Sequence, residues 1–238
     1  MSQWRPKRFW KTATVVPVDG GFAVKLDERR VMTPAKQNLI LPTEGLAQLI
    51  AAEWDAQHGL VNPETMPTTR MANSALDKVA PQYDEVATLL AAYGETDHLC
   101  YRAVEPPELV ARQAAAWDPL LDWSATDLHA PLQSTIGVIP IPQDPTAIAR
   151  LHQHIRDLGA FRLAAFHDLV ALSGSLILAF AVARARLSPE DGWSTSRIDE
   201  DWQISLWGED DEAASVALRK RQSFAEAARF YALCGQPD

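Results

Sequence analysis

The stretch LVALSGSLILAFAVA, from Leu169 to Ala183, is the longest apolar run of the chain and the part that decides the fold. A helix of this length extends only about 22 Å, whereas the apolar core of a bilayer is roughly 30 Å thick. The wider segment 161–185 is apolar nearly all round, which is typical of a buried helix at the centre of a bundle. We therefore expect a central core helix here, in which Ser173-Gly174-Ser175 allows neighbouring helices to approach closely.

Helix signals continue through most of the second half of the chain. Asp144-Pro145 and Ser188-Pro189 each place a capping residue before a proline, a combination that favours the start of a helix. The segment 210–233 is amphipathic and predicts a last helix with Ala217 and Phe224 on its apolar face. The second half is therefore expected to be almost entirely helical.

The first forty residues predict short strands separated by turns. Asp19-Gly20-Gly21 is a strong hairpin signal, and the alternation in 22–26 is typical of a strand with one buried face. Further short strands are expected at 31–33 and 38–41, after which Thr43 is placed to cap the first helix.

Together these patterns predict an α+β fold. We expect a small N-terminal β-rich domain, residues 1–80, followed by a C-terminal mainly α-helical domain, residues 81–238. The boundary rests on a change in composition near Pro81, since the sequence has neither an internal repeat nor a low-complexity linker.

The charge and the start of the chain limit the class of protein. The 238 residues carry a net charge of −9, which argues against general nucleic-acid binding and against electrostatic binding to anionic lipid. The first residues do not form a signal peptide, so we expect a cytoplasmic protein without membrane insertion. Cys100 and Cys234 lie far apart in the sequence and are expected to be reduced thiols.

Motifs for catalysis are missing from the sequence, beginning with the P-loop that would hold a triphosphate. His152 and His154 stand two positions apart on a predicted helix, so their side chains diverge and cannot share one metal ion. Asp97-His98 follows the end of a helix, where local capping is favoured over a catalytic cluster. The alternative hypothesis is a small cytoplasmic hydrolase or transferase that uses Asp97 and His98, with His167 nearby in space.

Tryptophan is unusually frequent, and one tryptophan precedes an acidic run. The chain has eight tryptophans, and Trp207 begins the sequence WGEDDE that ends at Glu212. The run has two interpretations: the negatively charged first turn of the last helix, or an exposed acidic patch that meets a basic partner. Tryptophan likewise serves either in packing or as an anchor of a protein interface.

Short segments distributed along nearly the whole chain resemble one known family. The chain is similar to the ATP synthase F1 assembly factor 2 family, whose members chaperone the alpha subunit of F1-ATP synthase. The segments are RFWK (8–11), LDER (26–29), TPA (33–35), LILP (39–42), AEWDAQ (52–57), MPTT (66–69), ETDHLCYR (95–102), QAAAWDPL (113–120), SGS (173–175), DE and Q (199–203) and WG (207–208).

The resemblance implies a chaperone that binds free F1 alpha subunit and shields the surface that later meets the beta subunit. It implies no catalytic residue, cofactor, metal ion or small-molecule substrate, and a bacterial rather than a mitochondrial member. The partner-binding residues that follow from it are Trp207, Glu209 and Asp211. Asp211 stands where the family has a functional acidic residue, and Trp54-Asp55 is expected to be structural.

Overall fold

The computed structural model describes residues 7–235, which form two compact units. The first unit contains the chain up to Tyr83 together with 159–165 and the residues from Arg229 onward; the second contains 84–158 and 166–228. Strands dominate the start of the chain and helices the remainder, so the predicted α+β class is confirmed. The division into domains at residues 80 and 81 stays a prediction.

A four-stranded sheet lies in the first unit. Strands β1 (Ala13–Val18) and β2 (Gly21–Leu26) form an antiparallel hairpin, and β2 also pairs with β3 (Arg29–Arg30) and β4 (Ile40–Leu41). Gly21 has φ +145°, and a Cβ there would overlap the carbonyl oxygen of Leu41. Only glycine therefore lets β4 pair beside the hairpin turn.

The prediction of a strand at 31–33 was wrong by two residues. The chain turns back at once after β2, because Asp27 adopts a left-handed conformation with φ +53°. Its carboxylate accepts hydrogen bonds from the backbone N–H group of Thr12 and from that of Lys11, and these bonds lower the pKa of Asp27. The return strand consequently begins at Arg29, opposite Leu26.

One helix packs against strands β1 and β2 of this sheet, and the chain passes from the first unit into the second after Tyr83. Thr43 caps α1 (Glu44–Asp55), as predicted, by accepting a hydrogen bond from Leu46 N. The chain continues through α2 (Pro67–Ser74) and a π-helical turn, Ala75–Val79, to α3 (Tyr83–Ala91). Asp55 accepts a hydrogen bond from Ala13 N, and Trp54 packs edge-on against Trp10, so both residues have structural contacts.

The second unit is helical apart from one pair of short parallel strands, β5 (Tyr101–Arg102) and β6 (Thr135–Ile136). The predicted starts at Pro145 and Pro189 are confirmed, with Asp144 and Ser188 as the capping residues. No helix within residues 7–235 is both long and apolar enough to cross a membrane. The helices after α3 are α4 (Pro107–Asp127), α5 (Pro145–Arg156), α6 (Gly159–Ser173), α7 (Leu176–Ala183), α8 (Pro189–Ser196), α9 (Ile198–Trp207) and α10 (Asp211–Leu233).

The predicted continuous core helix over 161–185 was wrong, because the apolar segment is two helices. Gly174 ends α6 in a left-handed conformation with φ +69°, and Ser175 caps α7 by accepting a hydrogen bond from Leu178 N. Ser173-Gly174-Ser175 therefore interrupts the helix, whereas we expected it mainly to let neighbouring helices approach closely. Every residue of α7 from Leu176 to Val182 is buried, so the expectation of a central core element holds.

Asp97 holds the buried start of α7. Its side chain is fully buried, and its two carboxylate oxygens accept hydrogen bonds of 3.0 Å from Leu99 N and Ile177 N. The first N–H groups of a helix have no partner within the helix, so a buried start needs such an acceptor. Burial raises the pKa of Asp97, while these hydrogen bonds and one from Ser175 oppose the rise.

We expect Asp97→Ala to lower the free energy of unfolding by about 2–4 kcal/mol, because it leaves two buried N–H groups unpaired. Asp97→Asn retains an acceptor and should cost less. Urea denaturation followed by circular dichroism measures both values. Equal stability of the unsubstituted and Asp97→Ala chains would contradict the assigned capping role.

The raised pKa of Asp97 also predicts a pH dependence. A carboxyl group whose pKa is higher in the folded than in the unfolded state contributes most when protonated, and this contribution is lost as pH rises through the folded-state pKa. The stability of the unsubstituted chain relative to Asp97→Asn should therefore fall as pH rises from about 4. Urea denaturation across this pH range tests it; a constant or rising difference would contradict it.

Candidate functional site

An open groove of about 870 Å³ lies between α9 and the first half of α10, in the second unit. Helix α9 has no buried residue, and α10 has none before Phe224, so both helices present apolar side chains to solvent. Trp207 is 85% exposed and Leu218 is 53% exposed. The apolar lining consists of Trp193, Ile204, Trp207, Ala213, Ala214, Val216, Ala217 and Leu218.

Helix α9 is fixed by polar contacts with α4. The side-chain amide of Gln113, which is buried, donates a hydrogen bond of 2.6 Å to Asp199 Oδ1 and accepts one from Ala103 N. The guanidinium of Arg112 lies over the ring of Trp202, 5.0 Å from its centre. These contacts hold α9 against α4, whereas Trp207 at the end of α9 stays exposed.

Helix α10 is fixed from its middle onward. The ring of Phe224 packs against Trp193 of α8 at 6.0 Å between centroids, and Arg221 makes a two-pronged ion pair with Glu190. Helix α8 lies close to α7 at Gly192. A side chain at this position would overlap Val182, so the glycine makes the close approach possible. The segment of α10 before Arg221 therefore extends beyond its packed region and forms one wall of the groove.

A tight turn joins the two helices. Gly208 ends α9 with φ +86°, a conformation that a residue with a side chain adopts only under strain. The carboxylate of Asp210 then accepts a hydrogen bond of 2.8 Å from Ala213 N and caps α10. The turn leaves Trp207 at one edge of the groove, directly before the acidic run.

The chain is similar to known proteins in both sequence and structure. The chain matches the family described as "ATP12 chaperone protein" over residues 7–125. The crystal structure of Atp12 from Paracoccus denitrificans is 49% identical, with a TM-score of 0.93 over 96% of this chain and 98% of that chain. The chain belongs to the ATP12 chaperone family. A protein structure from Agrobacterium tumefaciens is 40% identical, with a TM-score of 0.89 over 95% and 85% of the two chains.

A yeast relative extends the comparison beyond bacteria. "Protein atp12, mitochondrial" from Schizosaccharomyces pombe is 25% identical over 222 residues, which are 88% of this chain and 76% of that protein. The higher identity to the two bacterial proteins fits the bacterial origin that the sequence indicated. The ATP12 family is the one that the resemblance indicated, and its members are chaperones of ATP synthase assembly.

The structure brings two of the three predicted partner-binding residues to this groove. Trp207 and Glu209 line it, together with Asp210 and Glu212. Asp211 lies in the exposed first turn of α10 and is not among the lining residues. Asp210 caps α10 and its acidic neighbours are exposed, while the role of the run as a patch that meets a basic partner stays a prediction.

Sequence reasoning missed the apolar side of the site. Val216 and Leu218 are exposed at the groove, although the amphipathic pattern of α10 assigned only one buried face. Ala217 was placed on that face, yet it lines the groove instead of the packed core. The one available signal was the spacing of Ala213, Ala214, Ala217 and Leu218, which continues an apolar stripe beyond the acidic turn.

The predicted enzyme candidates do not meet at this site. Asp97 has both carboxylate oxygens engaged by backbone N–H groups, and His98 packs edge-on against Trp117. His167 contacts its own neighbour Asp168 at 3.1 Å, which raises the pKa of His167. None of these residues lines the groove. The two hydrogen bonds to the carboxylate of Asp97 favour its interpretation as a cap.

The remaining candidates are also structural. His154 lies 3.2 Å from the carbonyl oxygen of Leu128, and both His152 and His154 are half-buried. No cluster of three potential metal ligands occurs within residues 7–235. Cys100 and Cys234 are free and buried, and burial raises the pKa of each thiol to about 12, which keeps both protonated.

Substitution of two tryptophans that line the groove tests whether Trp207 is a surface residue or part of the packed core. We expect Trp207→Ala to change the free energy of unfolding by less than about 0.5 kcal/mol, because the side chain is exposed. Trp193 is only 6% exposed, and Trp193→Ala should cost about 3–5 kcal/mol. Urea denaturation followed by circular dichroism tests both; comparable losses would show that Trp207 belongs to the packed core.

Proposed function

We propose that this chain is an assembly chaperone that binds the free alpha subunit of F1-ATP synthase in the bacterial cytoplasm. It shields the surface of the alpha subunit that contacts the beta subunit, and it releases the subunit into the F1 complex. The proposal extends the family role to a specific partner. The observation that supports it most directly is Trp207, 85% exposed at the edge of an apolar groove.

An unpaired subunit of an assembly needs protection from aggregation. A subunit that awaits its partner exposes a large apolar surface and aggregates unless that surface is covered. The groove offers tryptophan and aliphatic side chains, which are the favoured anchors of protein interfaces. Glu209, Asp211 and Glu212 add negative charge at its edge, and none of them makes an ion pair with another residue of the described chain.

Release requires that the interaction be reversible. An open groove between two helices covers only part of a client surface, so the final partner subunit has access to the rest and can displace the chaperone. Charged groups at an edge raise the rate of association more than the final affinity. The proposed mechanism includes no catalytic residue, cofactor, metal ion, small-molecule substrate or ATP, as the family resemblance implies.

Binding and aggregation assays test this proposal. The purified chain should bind free F1 alpha subunit, and it should suppress the light scattering of alpha subunit diluted from denaturant without ATP. Glu209→Lys combined with Asp211→Lys should weaken binding about tenfold or more at low salt, because the edge would then repel a basic client. The circular dichroism spectrum should not change.

A matched control separates charge at this site from charge in general. Glu85→Lys combined with Asp122→Lys makes the same change in net charge at exposed positions of α3 and α4. Glu85, like Asp211, lies in the first turn of its helix, so the loss of favourable helix-dipole interaction is comparable. Equal weakening by both double variants would reject the groove, and failure of the unsubstituted chain to bind alpha subunit would reject the proposed partner.

A further inference from the structure

We propose that the groove holds an amphipathic helix of the client, with a cluster of Arg or Lys at one end of that helix lying over the turn between α9 and α10. This inference rests on the proposed function for the identity of the client. It specifies the kind of client segment that enters the groove, and it specifies that the basic end of this segment lies at the turn between α9 and α10. Three observations support it: the lining, the backbone and the distribution of charge.

The lining fits side chains that project from a helix. Ala213, Ala214 and Ala217 have small side chains, so the backbone of an incoming segment can approach α10 closely. Ile204 and Trp207 are three positions apart on α9 and form a ridge on the facing wall. Ridges and grooves of this spacing are what one helix presents to another, so a third helix completes the packing of the α9–α10 pair.

The backbone of the groove disfavours an extended client segment. Both walls are α-helices, whose internal N–H and C=O groups are engaged within the helix. A strand laid in the groove would find no edge to pair with and would lose the hydration of its own N–H and C=O groups. A helical segment satisfies its own backbone and offers only side chains.

The charge of the groove differs between its two ends. At the turn, Glu209, Asp210 and Glu212 line it without any basic residue beside them. At the other end basic and acidic residues line it together: Arg197, Glu200, Asp201, Lys220 and Arg221.

At the end with the basic residues, ion pairs with acidic residues of the same chain neutralise most of the positive charge. Arg197 lies 3.6 Å from Asp201 and 3.9 Å from Glu200, and Arg221 pairs with Glu190 at 2.6 Å. The excess of negative charge is therefore concentrated at the turn. The electrostatic attraction between a client helix and the groove is strongest when the basic end of the helix lies at the turn.

The same charge argues against a second copy of this chain as the occupant. The chain carries a net charge of −9, so two copies repel each other at long range. The groove adds acidic residues at the point of approach. A basic helix of another protein is the complementary partner.

Designed peptides of about 18 residues, roughly five helical turns, test the class of occupant. Peptide A has leucines at i, i+3, i+4 and i+7 and arginines at one end. Peptide B has the same composition with its leucines in alternation, and peptide C replaces the arginines of A with glutamate. Fluorescence anisotropy with the full chain should show that A binds about tenfold or more tightly than B and C.

Variants of the chain test where the peptide lies. Trp207→Ala should weaken peptide A about thirtyfold, as expected for an anchor residue. Leu89→Ala is the matched control, because Leu89 is 57% exposed on α3; it should leave the affinity unchanged. Glu209→Lys combined with Glu212→Lys should lower the affinity for peptide A and raise the affinity for peptide C. General misfolding would lower both affinities.

A photo-crosslinking residue beside the arginines of peptide A tests its orientation. It should label the segment 205–212 rather than the region of Arg197 and Lys220. Labelling of Arg197 and Lys220 would overturn the proposed orientation, and equal binding of A and B would overturn the helical class.

Comparison with the alpha subunit distinguishes this inference from the proposed function. If Trp207→Ala weakens binding of the alpha subunit while peptide A does not bind, the chaperone role stands and the helical occupant is rejected. If neither the alpha subunit nor peptide A binds, both proposals fail. Concentration-dependent dimerisation of the chain that Trp207→Ala abolishes in sedimentation would assign the groove to self-association and overturn the inference.

Discussion

The buried carboxylate of Asp97 is the interaction on which the second unit depends. Helix α7 is buried from Leu176 to Val182, so its first N–H groups cannot be satisfied by water. Asp97 supplies one acceptor to Ile177 and another to Leu99, and thereby joins α7 to the short helical turn at His98–Cys100. The cost of burying a carboxyl group is offset by these hydrogen bonds and by the burial of the apolar helix that they permit.

The groove follows from the packing of this helix through a short series of contacts. Val182 of α7 lies against Gly192 of α8, and Trp193 of α8 packs against Phe224 of α10. Helix α9 is held separately by the bond from Gln113 to Asp199. These contacts thus fix the start of α9 and the middle of α10, while the ends that meet at the turn stay exposed. An exposed tryptophan suits binding, because its side chain has only two rotatable bonds and loses little conformational freedom on contact.

The two hypotheses about Asp97-His98 show why residue type alone does not establish chemistry. Asp, His and Thr in succession fit a hydrogen-bonded catalytic group as well as a helix cap. A general base needs access to its substrate, whereas the oxygens of Asp97 face backbone N–H groups within the core. The distinction depended on Ile177, a residue 80 positions away in sequence.

The sequence by itself determined the features that act over a few residues. The hairpin turn before Gly21, the caps at Thr43, Asp144 and Ser188, and the start of the last helix near 210 follow from local hydrogen bonding. The short resemblances also identified the family. Tertiary structure decided the rest: that SGS at 173–175 breaks the apolar helix, that Asp97 closes that break, and that Trp207 is exposed. These outcomes depend on burial between distant segments, which a local pattern does not encode.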